Sequence, residues 1–287
     1  MVVHRYRIPK RFTDLNVDGT VDHSALIDYL QEARTELLLA AAEPMRSMLG
    51  AGVLVTGHWV EFLAPANDRE STVAAEVWVD QVGAARFSLS YRFSDGDRPV
   101  LHARTFLVPY DLAAGKLRRL TDPERGQLES ALADPVPLRT MGKVRPDALD
   151  GAAEVEIRAR WGDLDAYGHV NNVKFFDYLA QARRELLGAG TADGRWQVGR
   201  QDLDYRLPID FRRDPYRVRT ALLDVDARRC ELAADIVDPV DQRCFATSRA
   251  VLSLVDDTGR ELPIGTDVQE SLSKALLTQQ PGRQTGA

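Results

Sequence analysis

The sequence predicts an α+β protein made of two tandem copies of one domain, each a long helix packed on a curved antiparallel sheet. The first observation is an internal repeat: Arg11–Leu38 aligns without a gap with Arg160–Leu187, 149 residues further on, and 13 of the 28 paired residues are identical. The second is the order of the patterns in each half, where one amphipathic helix precedes several long strand-like segments. The third is the length of 287 residues, which suits two domains. A tandem duplication explains all three.

The first half begins with loosely alternating residues 2–12, which predict a strand, and a turn then leads to a helix over residues 24–42. Apolar residues of this helix recur on one face at Leu26, Leu30, Ala33 and Leu37. The β-branched and aromatic content of the following segments predicts long strands over residues 52–66, 71–83 and 85–111. Asp95-Gly96-Asp97 is typical of a hairpin turn.

Residues 121–151 contain more proline and glycine, and they predict a short helix over 124–133 followed by a linker. The second half then repeats the order of predicted elements found in the first. Its predicted elements are a strand at 153–159, the second long helix, strands at 198–211 and 214–227, a strand pair at 231–240 and 244–263, and a terminal helix at 266–277. The expected domains are 1–135 and 152–280, joined by the linker 136–151 and followed by a disordered tail at 281–287.

The net charge, the lengths of the apolar segments and the cysteine spacing limit which kinds of function this chain could have. The net charge of -6 gives no electrostatic basis for binding nucleic acid or an anionic membrane. No apolar segment has the length of a signal peptide core or a membrane span, so we expect a soluble cytoplasmic protein. The two cysteines, Cys230 and Cys244, form no CxxC pair, and we expect buried thiols rather than a disulfide.

A long helix packed against a strongly curved antiparallel sheet is the arrangement of the hotdog fold, and we expect one such domain in each half. We expect the two sheets to join edge to edge with both helices on one side. Each copy would then cover the open edge of the other, which explains why the duplication stays in one chain.

Residues whose side chains could take part in a reaction lie just before the second long helix. Asp163 and Asp165 are followed by the pair Gly168-His169 and by Asn171-Asn172, which is a natural helix cap. This order brings a carboxylate and an imidazole, on a glycine-containing turn, to the N-terminal end of a half-buried helix. Free backbone N–H groups and the helix dipole favour developing negative charge there. Such groups can attack and polarise a carbonyl.

The stretch from Asp163 to Lys174 resembles the hotdog thioesterases. The 4-hydroxybenzoyl-CoA thioesterase family carries Asp-x-Asp-x-x-Gly before its helix, and the resemblance implies that Asp165 is the catalytic carboxylate. It also implies that a backbone N–H near Asn172 polarises the thioester oxygen. The plant acyl-ACP thioesterases, which are also tandem hotdogs, carry Asp-Leu-Asp-x-Asn-x-His-Val-Asn-Asn-Val-Lys. This chain matches that pattern at Asp163, Leu164, Asp165, His169, Val170, Asn171, Asn172, Val173 and Lys174.

The chain departs from the acyl-ACP pattern at two places. Tyr167 replaces the asparagine between aspartate and histidine, which removes a side-chain amide that could orient substrate. After a Tyr-Arg-Arg strand that family has a Glu-Cys pair, whereas this chain reads Tyr-Arg-Leu-Pro-Ile over residues 205–209. The expected substrate is therefore an acyl-CoA or an acyl-ACP thioester.

Each candidate residue also has a structural interpretation. Asp165 could serve only the turn, His169 could be a partly exposed turn residue, and Asn171-Asn172 could be only a cap. We expect Asp163, which is repeated as Asp14, to bond the turn or Arg160. The predicted catalytic residues are Asp165, His169 and Asn172, and the predicted substrate-binding residues are Tyr167, Gly168, Asn171 and His58. His58 is packed in its strand or reaches into the site of the second copy.

The first copy lacks the chemical groups. Asn16 stands where the second copy has Asp165, and Thr20 stands where it has His169. An amide is nearly isosteric with a carboxylate but cannot act as a base or nucleophile at neutral pH. We therefore expect the first copy to be a scaffold that supplies pocket walls.

The sequence thus predicts a thioester hydrolase that needs no metal and no cofactor, since no ligand-spaced cluster of His, Cys or carboxylates is present. A homodimer of the duplicated chain is one expected assembly. One alternative is a hotdog enoyl-thioester hydratase or dehydratase, but its Asp-x-Asn-Pro-x-His spacing does not match. The other is a non-catalytic module that binds acyl thioesters, against which the intact Asp165 argues.

Overall fold

The computed structural model describes residues 3–188, 190–191 and 194–276. The chain divides into two compact units, Met1–Thr140 and Met141–Ala287. This division falls within the predicted linker 136–151, and residues of that segment pack on their own unit. The N–H of Val136 donates to Ser90 Oγ at 2.9 Å, and Leu149 packs against Ala221. The predicted tail 281–287 lies outside the described residues.

The first unit contains one long helix and one antiparallel sheet. Its elements are β1 (His4–Pro9), α1 (His23–Ala40), α2 (Ser47–Ala51), β2 (Val53–Phe62), β3 (Thr72–Val82), β4 (Phe87–Asp95), β5 (Arg98–Asp111), β6 (Lys116–Leu117) and α3 (Asp122–Ser130). The strands lie in the order β1-β3-β4-β5-β2, and the short β6 pairs with β5. The hairpin predicted at Asp95–Asp97 joins β4 to β5, and Gly96 adopts a φ of 59° there.

The second unit repeats this arrangement. Its elements are β7 (Ala153–Ile157), α4 (Lys174–Leu187), β8 (Arg195–Tyr205), β9 (Tyr216–Val225), β10 (Cys230–Val237), β11 (Cys244–Val255), β12 (Glu261–Leu262) and α5 (Thr266–Leu276). The strands lie in the order β7-β9-β10-β11-β8, with β12 paired to β11. Each strand of this sheet has its counterpart at the same place in the first sheet.

The long helix packs on equivalent strands in both units, α1 on β1 and β3, and α4 on β7 and β9. Repeated apolar residues make the buried helix faces: Leu26, Leu30 and Ala33 in α1, and Phe175, Leu179 and Ala182 in α4. The predicted class, a long helix on an antiparallel sheet in each half, is therefore confirmed.

One strand ends earlier than expected. The sequence predicts a strand over 198–211, whereas β8 ends at Tyr205. The N–H groups of Arg206 and Leu207 both donate to the carbonyl oxygen of Phe245, at 2.8 and 3.2 Å, and Pro208 has no N–H to continue the ladder. Residues 206–215 consequently form a loop, which brings new residues to the candidate site.

Both cysteines are free thiols, and burial raises the pKa of Cys230 to about 12. Among the described residues, no helix is long and apolar enough to cross a membrane. In the same part of the chain, no three His, Cys, Asp or Glu side chains gather in a way that could hold a metal ion.

Candidate active site

The turn before α4 is built around Asp163. Its Oδ2 accepts hydrogen bonds from the backbone N–H of Arg160 at 2.8 Å and from the hydroxyl of Tyr178 at 2.7 Å. Its carbonyl oxygen accepts from the N–H of Asn171 at 2.8 Å, which closes the turn. Burial and the bond to Asp163 raise the pKa of Tyr178, so its hydroxyl stays protonated and donates. Asp163 therefore bonds the turn, as predicted.

The two carboxylate oxygens of Asp165 have different surroundings. Oδ1 accepts hydrogen bonds from the backbone N–H of Tyr167 at 2.8 Å and of His169 at 3.4 Å. Oδ2 accepts no hydrogen bond from any residue in the described ranges. Asp165 is only partly buried. The turn thus holds the carboxylate in one orientation and leaves Oδ2 open to a water molecule or a thioester carbon.

His169 lies at the end of this turn with its side chain 44% exposed. Its Nε2 is 3.7 Å from Oδ1 of Asp210, which lies opposite His169 in an isolated antiparallel bridge. Sequence reasoning missed Asp210, because it falls within the strand predicted over 198–211 and belongs to no motif. The chain therefore presents a second carboxylate beside the imidazole.

Asn171 and Asn172 lie in the turn just before α4, which begins at Lys174. The Oδ1 of Asn171 accepts from the N–H of Val173 at 3.2 Å, and its carbonyl oxygen accepts from the N–H of Lys174 at 2.9 Å. The Tyr205 hydroxyl donates to the carbonyl oxygen of Asn172 at 2.8 Å. The N-cap of α4 is Val173, so Asn171 bonds the turn that precedes the helix rather than capping it as predicted, and the backbone of Asn172 lies just before the positive end of the helix dipole.

Tyr167 and Gly168 form the exposed tip of the turn. Gly168 has a φ of 81°, and its N–H donates to the carbonyl oxygen of Asp165 at 3.1 Å. A residue with a Cβ is strained at this φ, so glycine is needed for the turn to close. Gly19 holds the same position in the first copy, with a φ of 75°. Tyr167 is 39% exposed.

The structure thus brings six of the seven predicted site residues together in one turn. The seventh, His58, lies on β2 of the first unit and is 1% exposed. Its Nδ1 is 2.9 Å from Oγ1 of Thr105 on the neighbouring strand β5. Its side chain is therefore packed within its own unit, and a role in binding substrate stays a prediction.

The matching turn of the first copy is held differently. The N–H of Asn16 donates to the carbonyl oxygen of Thr20 at 2.7 Å, as the N–H of Asp165 does to that of His169. The side chain of Asn16 instead donates to Thr20 Oγ1 at 3.2 Å. The N–H of Thr20 is bonded by Oδ1 of Asp18, at 3.0 Å. Asp18 therefore accepts the turn hydrogen bond in the first copy that Asp165 accepts in the second. Position 16 itself carries an amide and no carboxylate.

A cavity of about 530 Å³ is lined by residues of β7, of the turn and of the first part of α4. Arg158, Arg160 and Lys174 line it together with three acidic side chains, and neither Asp165 nor His169 does. Walls of mixed charge do not suit an acyl chain. The cavity is therefore not the acyl pocket.

Comparison with solved structures finds similar folds. A 12:0-ACP thioesterase from Umbellularia californica superposes with a TM-score of 0.68 at 16% identity, over 88% of this chain and 94% of that one. An acyl-ACP thioesterase from Bacteroides thetaiotaomicron gives a TM-score of 0.67 at 12% identity, over 87% of this chain and 97% of that one. At these identities the likeness shows the fold, and it confirms the predicted tandem hotdog architecture.

Comparison with curated proteins finds no match to this chain. A family model, however, matches it in two segments, residues 11–139 and 159–276, one in each unit. These segments cover most of the sequence and both copies of the repeated turn. The chain accordingly belongs to the thioesterase-like superfamily.

Proposed function

We propose that this protein hydrolyses an acyl-CoA or acyl-ACP thioester to the free acid and the thiol, at the turn before α4. The observation that carries the proposal is the carboxylate of Asp165. Two backbone N–H groups orient it through Oδ1, while Oδ2 accepts no hydrogen bond from the described residues. The matching position of the first copy has an amide, so the chemical group is confined to the second copy.

Two routes use the same residues. In the first, Asp165 Oδ2 takes a proton from a water molecule whose oxygen attacks the thioester carbon, and the tetrahedral intermediate then breaks its C–S bond and expels the thiolate. In the second, Oδ2 itself attacks, forms an acyl anhydride and expels the thiolate, and water then hydrolyses the anhydride. In both routes the carbonyl oxygen becomes negative and is stabilised by the backbone N–H of Asn172 and the dipole of α4. His169 can hydrogen-bond the substrate or stabilise the same anion.

Substrate binding is proposed for the exposed part of the turn. Tyr167 and Gly168 present a ring and an unobstructed backbone to a long, flexible thiol arm. Asn171 holds the segment that leads into the helix. We also propose that the enzyme works in the cytoplasm, without metal or cofactor, and that the duplicated chain can form a homodimer.

The test is a thiol-release assay with acyl-CoAs of several chain lengths alongside one acyl-ACP. We expect release of free thiol from at least one of them, unchanged by a chelator. Activity that is lost on chelation and restored by a divalent ion would contradict the metal-free mechanism. Release from none of the substrates would contradict the hydrolase proposal.

A second candidate function is a non-catalytic module that binds acyl thioesters. The two hydrogen bonds to Asp165 Oδ1 favour it, because a turn residue needs nothing more. Calorimetric binding of a non-hydrolysable acyl-CoA analogue, together with no thiol release, would support this alternative.

A further inference from the structure

We propose that Asp210 is a positioning residue for His169, whose imidazole it orients and holds in one tautomer. The inference rests on the proposed thioester hydrolysis and adds a residue to it. Asp210 lies on the loop after β8 and belongs to no sequence motif of the turn.

The contact is set by the backbone. His169 and Asp210 face each other in an antiparallel bridge, and the neighbouring N–H of Val170 donates to the carbonyl oxygen of Ile209 at 2.8 Å. The side chains meet with Nε2 of His169 3.7 Å from Oδ1 of Asp210. This gap is closed by a small side-chain rotation or bridged by one water molecule. The His169 side chain is 44% exposed and that of Asp210 is 77% exposed, so packing holds neither of them and the bridge sets only which residues face each other.

The loop is anchored without the Asp210 side chain. Ile209 is fully buried, and the Tyr216 hydroxyl donates to the carbonyl oxygen of Asp210 at 2.8 Å. Arg212 stacks on the Tyr216 ring at 3.8 Å and donates to Oδ2 of Asp238 at 2.5 Å. The Asp238 side chain is only 4% exposed. A substitution of the Asp210 side chain therefore leaves the loop in place.

The first copy has the same backbone with different side chains. Thr20 faces Asn67 in the equivalent bridge, and the N–H of Val21 donates to the carbonyl oxygen of Ala66 at 2.9 Å. A carboxylate required to build the bridge would occur in both copies. It occurs only where the opposite residue is an imidazole.

The chemistry of the pair follows from the donor properties of histidine. A carboxylate beside Nε2 favours the tautomer with the proton on Nε2, because that N–H can donate to it. Nδ1 then remains the ring atom that can exchange a proton or bond the substrate. Asp210 thus acts through His169 and does not touch the thioester.

The test is a double-mutant cycle on kcat, using substitutions that copy the first unit: Asp210→Asn, His169→Thr and both together. We expect Asp210→Asn to lower kcat by about tenfold, the lower end of the cost of losing the partner that orients a metal-ligating histidine, with KM nearly unchanged. In the His169→Thr background Asp210→Asn should have no further effect, because its partner is gone. Asp210→Glu should retain more activity than Asp210→Asn. Asn67→Asp is the matched control and should change nothing.

Equal effects of Asp210→Asn with and without His169 would overturn the proposal, as would no effect at all. A readout independent of turnover separates it from the proposed function. The chain has five histidines, and the ring ¹⁵N signals of His169 are identified by their loss in His169→Thr. We expect Asp210→Asn to shift these signals away from the Nε2–H tautomer. If no thioester is hydrolysed, the hydrolase proposal fails, and unchanged ring signals would then overturn the pairing as well.

Discussion

Residues 11–23 of the first copy and 160–172 of the second share their backbone hydrogen bonds, yet differ at the positions of the candidate site residues. In both, an aspartate accepts from a backbone N–H and from a helix tyrosine: Asp14 from Tyr29 at 2.6 Å, and Asp163 from Tyr178 at 2.7 Å. Three other positions change from neutral to ionisable residues: Asn16 to Asp165, Thr20 to His169, and Asn67 to Asp210. Both copies therefore keep the groups that build the turn, whereas only the second copy has the groups proposed to react.

The difference also shows how the carboxylate of Asp165, proposed to react, is accommodated in a turn. Asp165 both holds the turn and leaves one oxygen open, whereas in the first copy Asp18 and Asn16 share the structural task. The first turn therefore no longer needs a charge at position 16. Substitutions in both copies can test whether the groups that build the turn are distinct from the groups proposed to react.

Asp165→Asn should abolish most turnover. Asparagine can still accept both turn hydrogen bonds, so the fold should be kept, but it cannot act as base or nucleophile. Loss of a positioned proton acceptor costs a factor of about 100 to 10,000 in rate. Steady-state thiol release measures it, and Asn16→Asp is the matched control with nearly unchanged activity. Equal, mild effects of both substitutions would mean that the chemistry lies elsewhere, and unfolding by Asp165→Asn would favour a structural role.

Lys10→Met should destabilise the first copy without touching any reacting group. Lys10 Nζ is 2.5 Å from Asp95 Oδ1, and both side chains are 4% exposed. Removing one partner leaves a buried charge and costs about 3–5 kcal/mol of unfolding free energy. Urea unfolding measures it. The exposed pair of Arg5 and Glu76 supplies the control, since Arg5→Met should cost less than about 1 kcal/mol. A comparable cost for both substitutions would contradict the buried role of Lys10.

Tyr29→Phe and Tyr178→Phe should destabilise by similar amounts, because the tyrosine-aspartate bond is the same in both copies. A hydrogen bond to a charged group contributes about 1.5–3 kcal/mol. Each aspartate keeps its backbone N–H donor, so neither copy should unfold outright. Thermal unfolding of the two variants measures the costs. A large cost at one site and none at the other would break the structural equivalence of the turns.

Asn171→Asp should slow turnover slightly while keeping the helix. Asp22, at the matching position, already caps α1 by accepting from the N–H of Ser24 at 2.8 Å. A second negative charge at the start of α4 opposes the anion that forms there. An effect of about 0.3–1 kcal/mol corresponds to a loss of about two- to fivefold in kcat. Asp22→Asn is the control and should leave kcat unchanged. An increase in kcat for Asn171→Asp would contradict an anion stabilised at this helix end.

Much of the fold could be predicted because its signals are local and occur twice. The helix face at Leu26, Leu30 and Ala33 recurs at Phe175, Leu179 and Ala182, and the hairpin at Asp95–Asp97 carries its own turn residues. The sequence predicts a strand that continues past the observed end of β8 at Tyr205, because apolar residues continue beyond Pro208 to Phe211. Periodicity does not distinguish a strand from a loop that buries one residue such as Ile209.

The duplication, the two helix-on-sheet units and the candidate turn around Asp165 could be predicted from the amino-acid sequence, because each depends on residues close together in the chain. The facing of Asp210 and His169, and the bonding of the first turn by Asp18 in place of Asp165, became visible in the folded chain. Pairings of this kind depend on the register between distant segments and on the exact path of a loop. A shift of one residue would turn a different side chain towards the site, and no local pattern records that register.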